Sequence, residues 1–266
     1  MISRNPKNRL KTRLIVARNM KGQRLVKLQY PLDPVPGEFF RESIKMKMNV
    51  PTTLREIFIS SITPGIQPVA AAFSEKKEPQ MKASLDSIAL FKNFKLIGFV
   101  EGMEAVALNS MFGREPTGTI GLQVKGVKGT ISVQVIEMKV TPQLRIQGSK
   151  LFYSMKVTVK GKIIDNQTNL DLSNPGHIKN LNKLLEKEVT QLYESLFMKL
   201  QHTYKVDSIG LGAQVYRKNP KLWKQIEKDW PDLYSEQKIE WKVNAMITGV
   251  GSAGANLFLP EKGLIN

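Results

Sequence analysis

The stretch NPGHIKNLNKLLEKEVTQLYESLFMKLQHTY (residues 174–204) decides how this chain folds. Asn174 is a favourable N-cap, and Pro175 suits the first helical position, where its missing N–H would have no partner. Ile178, Leu181, Leu185, Val189, Leu192, Leu196 and Leu200 then recur at spacings of 3, 4, 4, 3, 4 and 4. That is one apolar stripe of a helix over about 175–204, and such a stripe needs a surface to lie on. The preceding stretch KLFYSMKVTVKGKII (residues 150–164) supplies one. Leu151, Tyr153, Met155, Val157 and Val159 share one face of a strand, while Lys150, Lys156, Lys160 and Lys162 point to the other.

Working outward, strands are expected at about 130–138 and 143–148, giving an antiparallel meander with one wet side. Asn219-Pro220 repeats the helix start signal. Trp223, Ile226 and Trp230 sit at i, i+3 and i+7 of a second helix that Pro231 should end. A strand over 237–247 closes the region. Upstream, residues 9–18 alternate as a half-buried strand with a basic outer side, and Thr52 or Thr53 caps a short helix over 52–60. Ser74 to Gln80 reads as a charged loop. A hairpin spans 87–100 with its turn at 92–95, and a helix follows over 102–112 with Gly113 just past its end. The glycine-rich stretch 113–129 is the candidate boundary between a domain over 1–113 and another over 114–260, with a tail at 261–266. Strands grouped before helices predict an α+β fold, with helices packed on one face of antiparallel sheets.

The chain has 266 residues, no cysteine and a formal net charge of +17. Residues 1–50 alone hold 12 Lys+Arg against 3 Asp+Glu. Disulfides, cysteine nucleophiles and cysteine-ligated zinc are excluded. Such a surplus suits a solvated lysine face, an anionic membrane surface or nucleic acid. No apolar run approaches the roughly 18 residues a membrane span needs.

Catalytic chemistry finds no residue set. His177 and His202 fall at opposite ends of the long helix, roughly 37 Å apart at 1.5 Å per residue, so they cannot share a metal. Glu101 and Glu104 sit in a first helical turn, where the dipole stabilises them without catalytic duty. Gly249 to Gly254 matches G-x-G-x-x-G, but too little chain follows for the βαβ unit that a dinucleotide requires. Asn166-Gln167-Thr168 fits the glycosylation pattern, a common chance match in a turn. Trp223, Trp230 and Trp241 lie on apolar stripes, so core packing is expected in place of base stacking. The expectation is a non-enzyme with no catalytic residues, no cofactor and no metal.

Asp207-Ser208-Ile209-Gly210-Leu211-Gly212, followed by Asn219-Pro220-Lys221-Leu222-Trp223 and then Trp230, resembles a known family. It is similar to the C-terminal domain of spore germination receptor C subunits, the Ger(x)C lipoproteins, which carry Asp-x-x-Gly-x-Gly after a long helix and then Pro-x-x-Trp before a second Trp. Ser87 to Gly98 and Arg4 to Arg18 resemble further segments, so the likeness runs along nearly the whole chain. The resemblance marks Asp207, Gly210, Gly212, Pro220, Trp223 and Trp230 as motif and possible interaction positions. It implies a peripheral subunit on the outer face of the spore inner membrane. Its partners would be integral A and B subunits, in a receptor that senses nutrients and starts germination; an anionic membrane surface is a further possible partner. Nucleic acid is not expected, and a basic nucleic-acid- or membrane-binding module is the alternative. The family's lipoprotein signal, anchoring cysteine and first β-rich segment have no counterpart here, so a shortened form without its lipid anchor is expected.

Overall fold

The computed structural model describes residues 10–28, 36–47, 50, 53–78, 81–113 and 118–250. Two four-stranded sheets organise them. The first takes β1 (Ile15–Arg18), β2 (Val69–Glu78), β3 (Met81–Lys92) and β4 (Lys95–Glu101) in that order. The second takes β5 (Gly118–Leu122), β6 (Ile131–Gln147), β7 (Lys150–Asn166) and β8 (Ile239–Gly249). Helices α1 (Gly22–Lys27), α2 (Pro36–Lys47) and α3 (Leu54–Ile62) lie between β1 and β2, and α4 (Gly102–Ser110) links the sheets. Then α5 (Pro175–Met198), α6 (Leu211–Lys218), α7 (Pro220–Ile226) and α8 (Trp230–Glu236) fill the crossover from β7 to β8. The α+β class stands.

Each sheet carries one parallel pair at an edge, β1 with β2 and β7 with β8, beside its antiparallel ones. In both cases a run of helices returns the chain to its starting end, as a parallel connection requires. The expected strands at 130–138 and 143–148 are one strand, β6. Pro142 does not break it, because β5 pairs only with residues 131–135 and leaves the outer side of Pro142 without a ladder to interrupt. An extra residue at Ile136 bulges the β6–β7 ladder and turns that side chain outward.

The long helix forms as expected. Asn174 caps it, its Oδ1 accepting from Gly176 N at 2.8 Å. After Met198 it loosens into a π-helical turn over Lys199–Thr203. Leu181, Leu185, Val189, Leu196 and Leu200 are buried against the second sheet. Gly161 on β7 makes room beneath them: a Cβ there would lie 2.4 Å from Val133 Cγ1. Tyr193 stacks on Trp241 with ring centroids 4.9 Å apart. The helix also covers the outer edge of β8, where Asn182 Oδ1 accepts from Ile247 N and Glu186 Oε1 from Ala245 N. The opposite sheet face exposes Lys139, Lys156, Lys160, Lys162 and Lys242.

Four expectations change. The strand expected over 9–18 is ordered as a strand only at 15–18, because only those residues reach a partner on β2; residues before 10 lie outside the described residues. Residues 74–78 belong to β2, since cross-strand pairing with β3 holds them despite their charge. A strand, β5, lies within the glycine-rich stretch. The helix expected through Trp230 ends at Ile226. Pro231 sits in the first turn of α8 instead of terminating α7, because a first-turn proline breaks no intrahelical bond. Of the two expected caps of α3, Thr53 takes the position and adds a capping box: Thr53 Oγ1 accepts from Glu56 N, and Glu56 Oε2 from Thr53 N. Gly251 to Gly254 lies outside the described residues.

Candidate functional site

The motif residues converge where the first half of the chain meets the second. Lys205, with φ at 48°, turns the chain out of the π-helical segment and sends Asp207 inward, where it is 5 % exposed. Gly210 holds the left-handed conformation at the start of α6 and has no side chain with which to cap it. Asp207 does that work from three residues back. Its Oδ1 accepts from Gly210 N at 2.7 Å and Leu211 N at 3.1 Å, and its Oδ2 from Gly212 N at 2.8 Å. Trp230 Nε1 donates to the same Oδ2 at 3.2 Å. A carboxylate suits this place because four donors need acceptors and the helix N-terminus is electropositive.

Burial pushes the Asp207 carboxyl up to about 6, against the four N–H donors, which pull it down. Burial, with a smaller contribution from the Asp207 charge, raises the hydroxyls of Tyr153 and Tyr234 above their ordinary range. Tyr153 donates to Leu211 O at 3.0 Å, which pins the start of α6 to β7.

The first half of the chain enters through the loop after α3. Gln67 N donates to Asp207 O at 2.8 Å, and Ala213 N to Gly65 O at 3.0 Å. Two glycines permit this approach. A Cβ on Gly212 would lie 2.7 Å from the Trp230 indole and 2.8 Å from Gly65 Cα; one on Gly65, whose φ is 71°, would lie 2.3 Å from Gly212 C. Nearby, Tyr204 packs on Gly98 and its hydroxyl donates to Phe99 O at 3.0 Å. Ser110 Oγ and Tyr193 Oη share a buried hydrogen bond of 2.7 Å that ties α4 to α5.

Of the six motif residues, five meet here or beside it. Asp207, Gly210, Gly212 and Trp230 form the knot itself, and Trp223 packs edge-on against Trp230 with centroids 5.5 Å apart. Pro220 stands apart at the exposed start of α7, whose N-cap Asn219 accepts from Leu222 N. Gly65, Gln67, Tyr153 and Tyr234 complete the junction and carry no motif in the sequence. The Thr-Pro-Gly turn signal at 63–65 was their one visible trace. The two histidines stay apart: His177 Nδ1 bonds Asp171 O, and His202 is exposed in the π-helical turn. Asn166 is buried and its Oδ1 accepts from Thr168 N and Oγ1, so the glycosylation pattern serves as a turn. No cluster of three or more metal-ligating side chains occurs among the described residues.

Residues 86–251 match the family described as Spore germination B3/GerAC like, C-terminal. Spore germination protein B3 of Bacillus subtilis is 24% identical, with 67% of this chain and 48% of that protein aligned. Spore germination protein KC of the same organism is 23% identical, covering 94% of this chain and 66% of that one. The chain thus spans about half to two thirds of the length of these relatives. The crystal structure of the GerBC protein superposes with a TM-score of 0.71 at 20% identity, over 90% of this chain and 70% of that one, and so shares its fold.

Proposed function

The chain belongs to the Spore germination B3/GerAC-like family, and on that premise we propose that it is the peripheral C subunit of a bacterial spore nutrient germinant receptor. It acts in receptor assembly and germination signalling, beside A and B membrane subunits on the outer face of the spore inner membrane. The observation that carries this reading is the family match across residues 86–251. The chemistry of the motif is consistent with a binding role and no catalysis: the buried carboxylate of Asp207 is spent on four N–H groups, and the tyrosines beside it hold their protons. No helix among the described residues is long and apolar enough to cross a membrane, which suits a peripheral subunit. The division at 113/114 is part of this proposal, supported by the change of sheet between β4 and β5.

The test is co-purification. A tagged chain is produced in sporulating cells with its A and B subunits and isolated from detergent-extracted spore membranes. Recovery of both partners is expected; a folded chain recovered alone refutes the assembly role. A second reading rests on the lysine face of the second sheet, where Lys156 stands directly beside Lys242. Each lysine brought near an anionic lipid surface gains on the order of 1 kcal/mol. Loss of binding to anionic vesicles on reversing Lys139, Lys156 and Lys162 supports this face as the membrane contact. Nucleic-acid stacking has no tryptophan to use, since Trp223 and Trp230 are buried and Trp241 is stacked on Tyr193.

A further inference from the structure

We propose that the β3–β4 turn, Lys92-Asn93-Phe94-Lys95, is a contact site for an anionic membrane surface, into which Phe94 and Leu96 insert between lysines. Lys92 pairs with Lys95, so Asn93 and Phe94 alone make the turn. Their φ angles are 51° and 63°, the left-handed region at both central positions. Such a turn prefers glycine at the second of them, because a side chain there crowds the backbone. Phenylalanine is unfavourable in that place, and burial does not compensate, since Phe94 is 60 % exposed. Three hydrogen bonds nevertheless hold the turn: Asn93 N donates to Gln67 Oε1 at 2.9 Å, Lys92 Nζ to Lys205 O at 3.3 Å, and Phe91 N to Pro68 O at 3.1 Å. A strained aromatic kept outward on so well-anchored a turn points to a use outside the folded chain.

The surroundings identify what the turn meets. Leu96, two residues on, is 46 % exposed. Ile62, 78 % exposed at the end of α3, stands five residues before Gln67, hence within about 18 Å of the residue that holds the turn. Lys95 and Lys205 are exposed and Lys92 is half-buried, and none of the three has a carboxylate partner among the described residues. Glu227, at the seam that Lys92 and Lys205 line, has Lys224 and Lys228 beside it on its own chain. This end of the molecule is therefore basic around apolar points. The points project, so they have no wall with which to enclose a small ligand. They also come from two elements, β4 and α3, which a fluid interface takes up without matching their shapes. Anionic headgroups attract the lysines, and the boundary with the acyl chains takes the ring and the leucine. Lysine suits such a rim because its stem lies along the apolar layer while its ammonium stays among the headgroups.

The site rests on the turn's own geometry, apart from the receptor assignment and from the lysine face of the second sheet. The test uses the intact chain with vesicles of phosphatidylcholine alone or mixed with phosphatidylglycerol. The chain has no cysteine, so Leu96→Cys carries a polarity-sensitive fluorophore as its sole label. On mixed vesicles the emission should move to the blue and brighten, less so as salt is added. Neutral vesicles should change it little, and the same label at Gln191→Cys, on the exposed side of α5, should not respond. Phe94→Gly, in unlabelled protein, gives the turn its preferred Asn-Gly pair, so the thermal midpoint should hold or rise. Its partition onto mixed vesicles, read by sedimentation, should nevertheless fall about tenfold or more. The proposal is overturned if the Leu96 label ignores mixed vesicles, if the Gln191 label responds equally, or if Phe94→Gly partitions as the parent does. Unchanged partition of Phe94→Gly would leave the membrane contact to the lysine face, and silence toward both vesicles would leave the turn to a protein partner.

Discussion

Replacing Gly212 with alanine isolates the contact on which the junction depends. Ordinarily such a change in a helix stabilises it, by up to about 1 kcal/mol. Here the added Cβ would stand 2.7 Å from Trp230 Cε2 and Nε1, and 2.8 Å from Gly65 Cα. The indole cannot back away cheaply, because its Nε1–H is held by Asp207 Oδ2 and its other side meets Trp223. The Gly65 backbone is held by the Ala213 N to Gly65 O bond. Overpacking a tight site costs about 1–3 kcal/mol, so steric cost outweighs helix gain and Gly212→Ala should destabilise by about 1–2 kcal/mol. With a urea slope of about 3 kcal/mol per M, the midpoint falls by about 0.5 M. Gly37→Ala is the control: its Cβ meets nothing within 4 Å, so stability should hold or rise. In a double-mutant cycle, Trp230→Phe removes the atoms the methyl strikes, and the pair should couple favourably by about 1 kcal/mol. A Gly212→Ala protein as stable as the parent would show that the two halves do not press together here.

Three further outcomes follow from the same geometry. The folded Asp207 carboxyl titrates near 6, above the roughly 3.9 of an unfolded aspartate, so the folded state holds the proton more tightly. This group's contribution is then fully present below about pH 4 and is lost as pH rises through about 6, a swing of up to about 3 kcal/mol; across that window the stability of the parent should fall relative to that of Asp207→Asn, whose other titrating groups are the same, as read from denaturation midpoints. Tyr193→Phe removes the hydroxyl bonded to Ser110 Oγ, while Ser110 still reaches Ala107 O, so a loss of only about 0.5–1.5 kcal/mol is expected by thermal or urea melting. Lys156→Glu places a carboxylate beside Lys242 on β8 and should raise the midpoint slightly at low salt and not at high salt, because exposed pairs are screened.

The α5 rod and its sheet were legible because their signal is periodic: seven apolar side chains at helical spacing opposite a strand whose odd positions are apolar. Such patterns depend only on near neighbours. The parallel placement of β8 was not legible, since period-two alternation reads the same in either direction; only the length of helix between β7 and β8 bears on it. The strands expected at 130–138 and 143–148 join across Pro142 for a related reason, because whether a proline breaks a strand depends on whether that edge has a neighbour. Pro231 misled because proline ends one helix and begins the next with equal ease. At the junction, the sequence could mark Asp207, Gly210 and Gly212 as a turn. It could not pair Gly212 with Gly65, which lies 147 positions upstream and shows its need for glycine only once the two backbones cross.

The motif's spacing has a physical account that needs no partner protein. Asp207 stands three to five residues before the N–H groups it accepts, the distance at which one carboxylate reaches the open start of a helix whose own N-cap is glycine. Trp230, two short helices later, closes the same carboxylate and sets the floor on which Gly212 rests. The aspartate, both glycines and the second tryptophan are therefore spent inward, on holding the first half of the chain against the second. Among the described residues, the lysine face of the second sheet takes no part in the knot and stays exposed for contact with other molecules. A change in the knot would loosen the junction between the two halves, whereas a change of a lysine on that face leaves the hydrogen bonds of Asp207 in place.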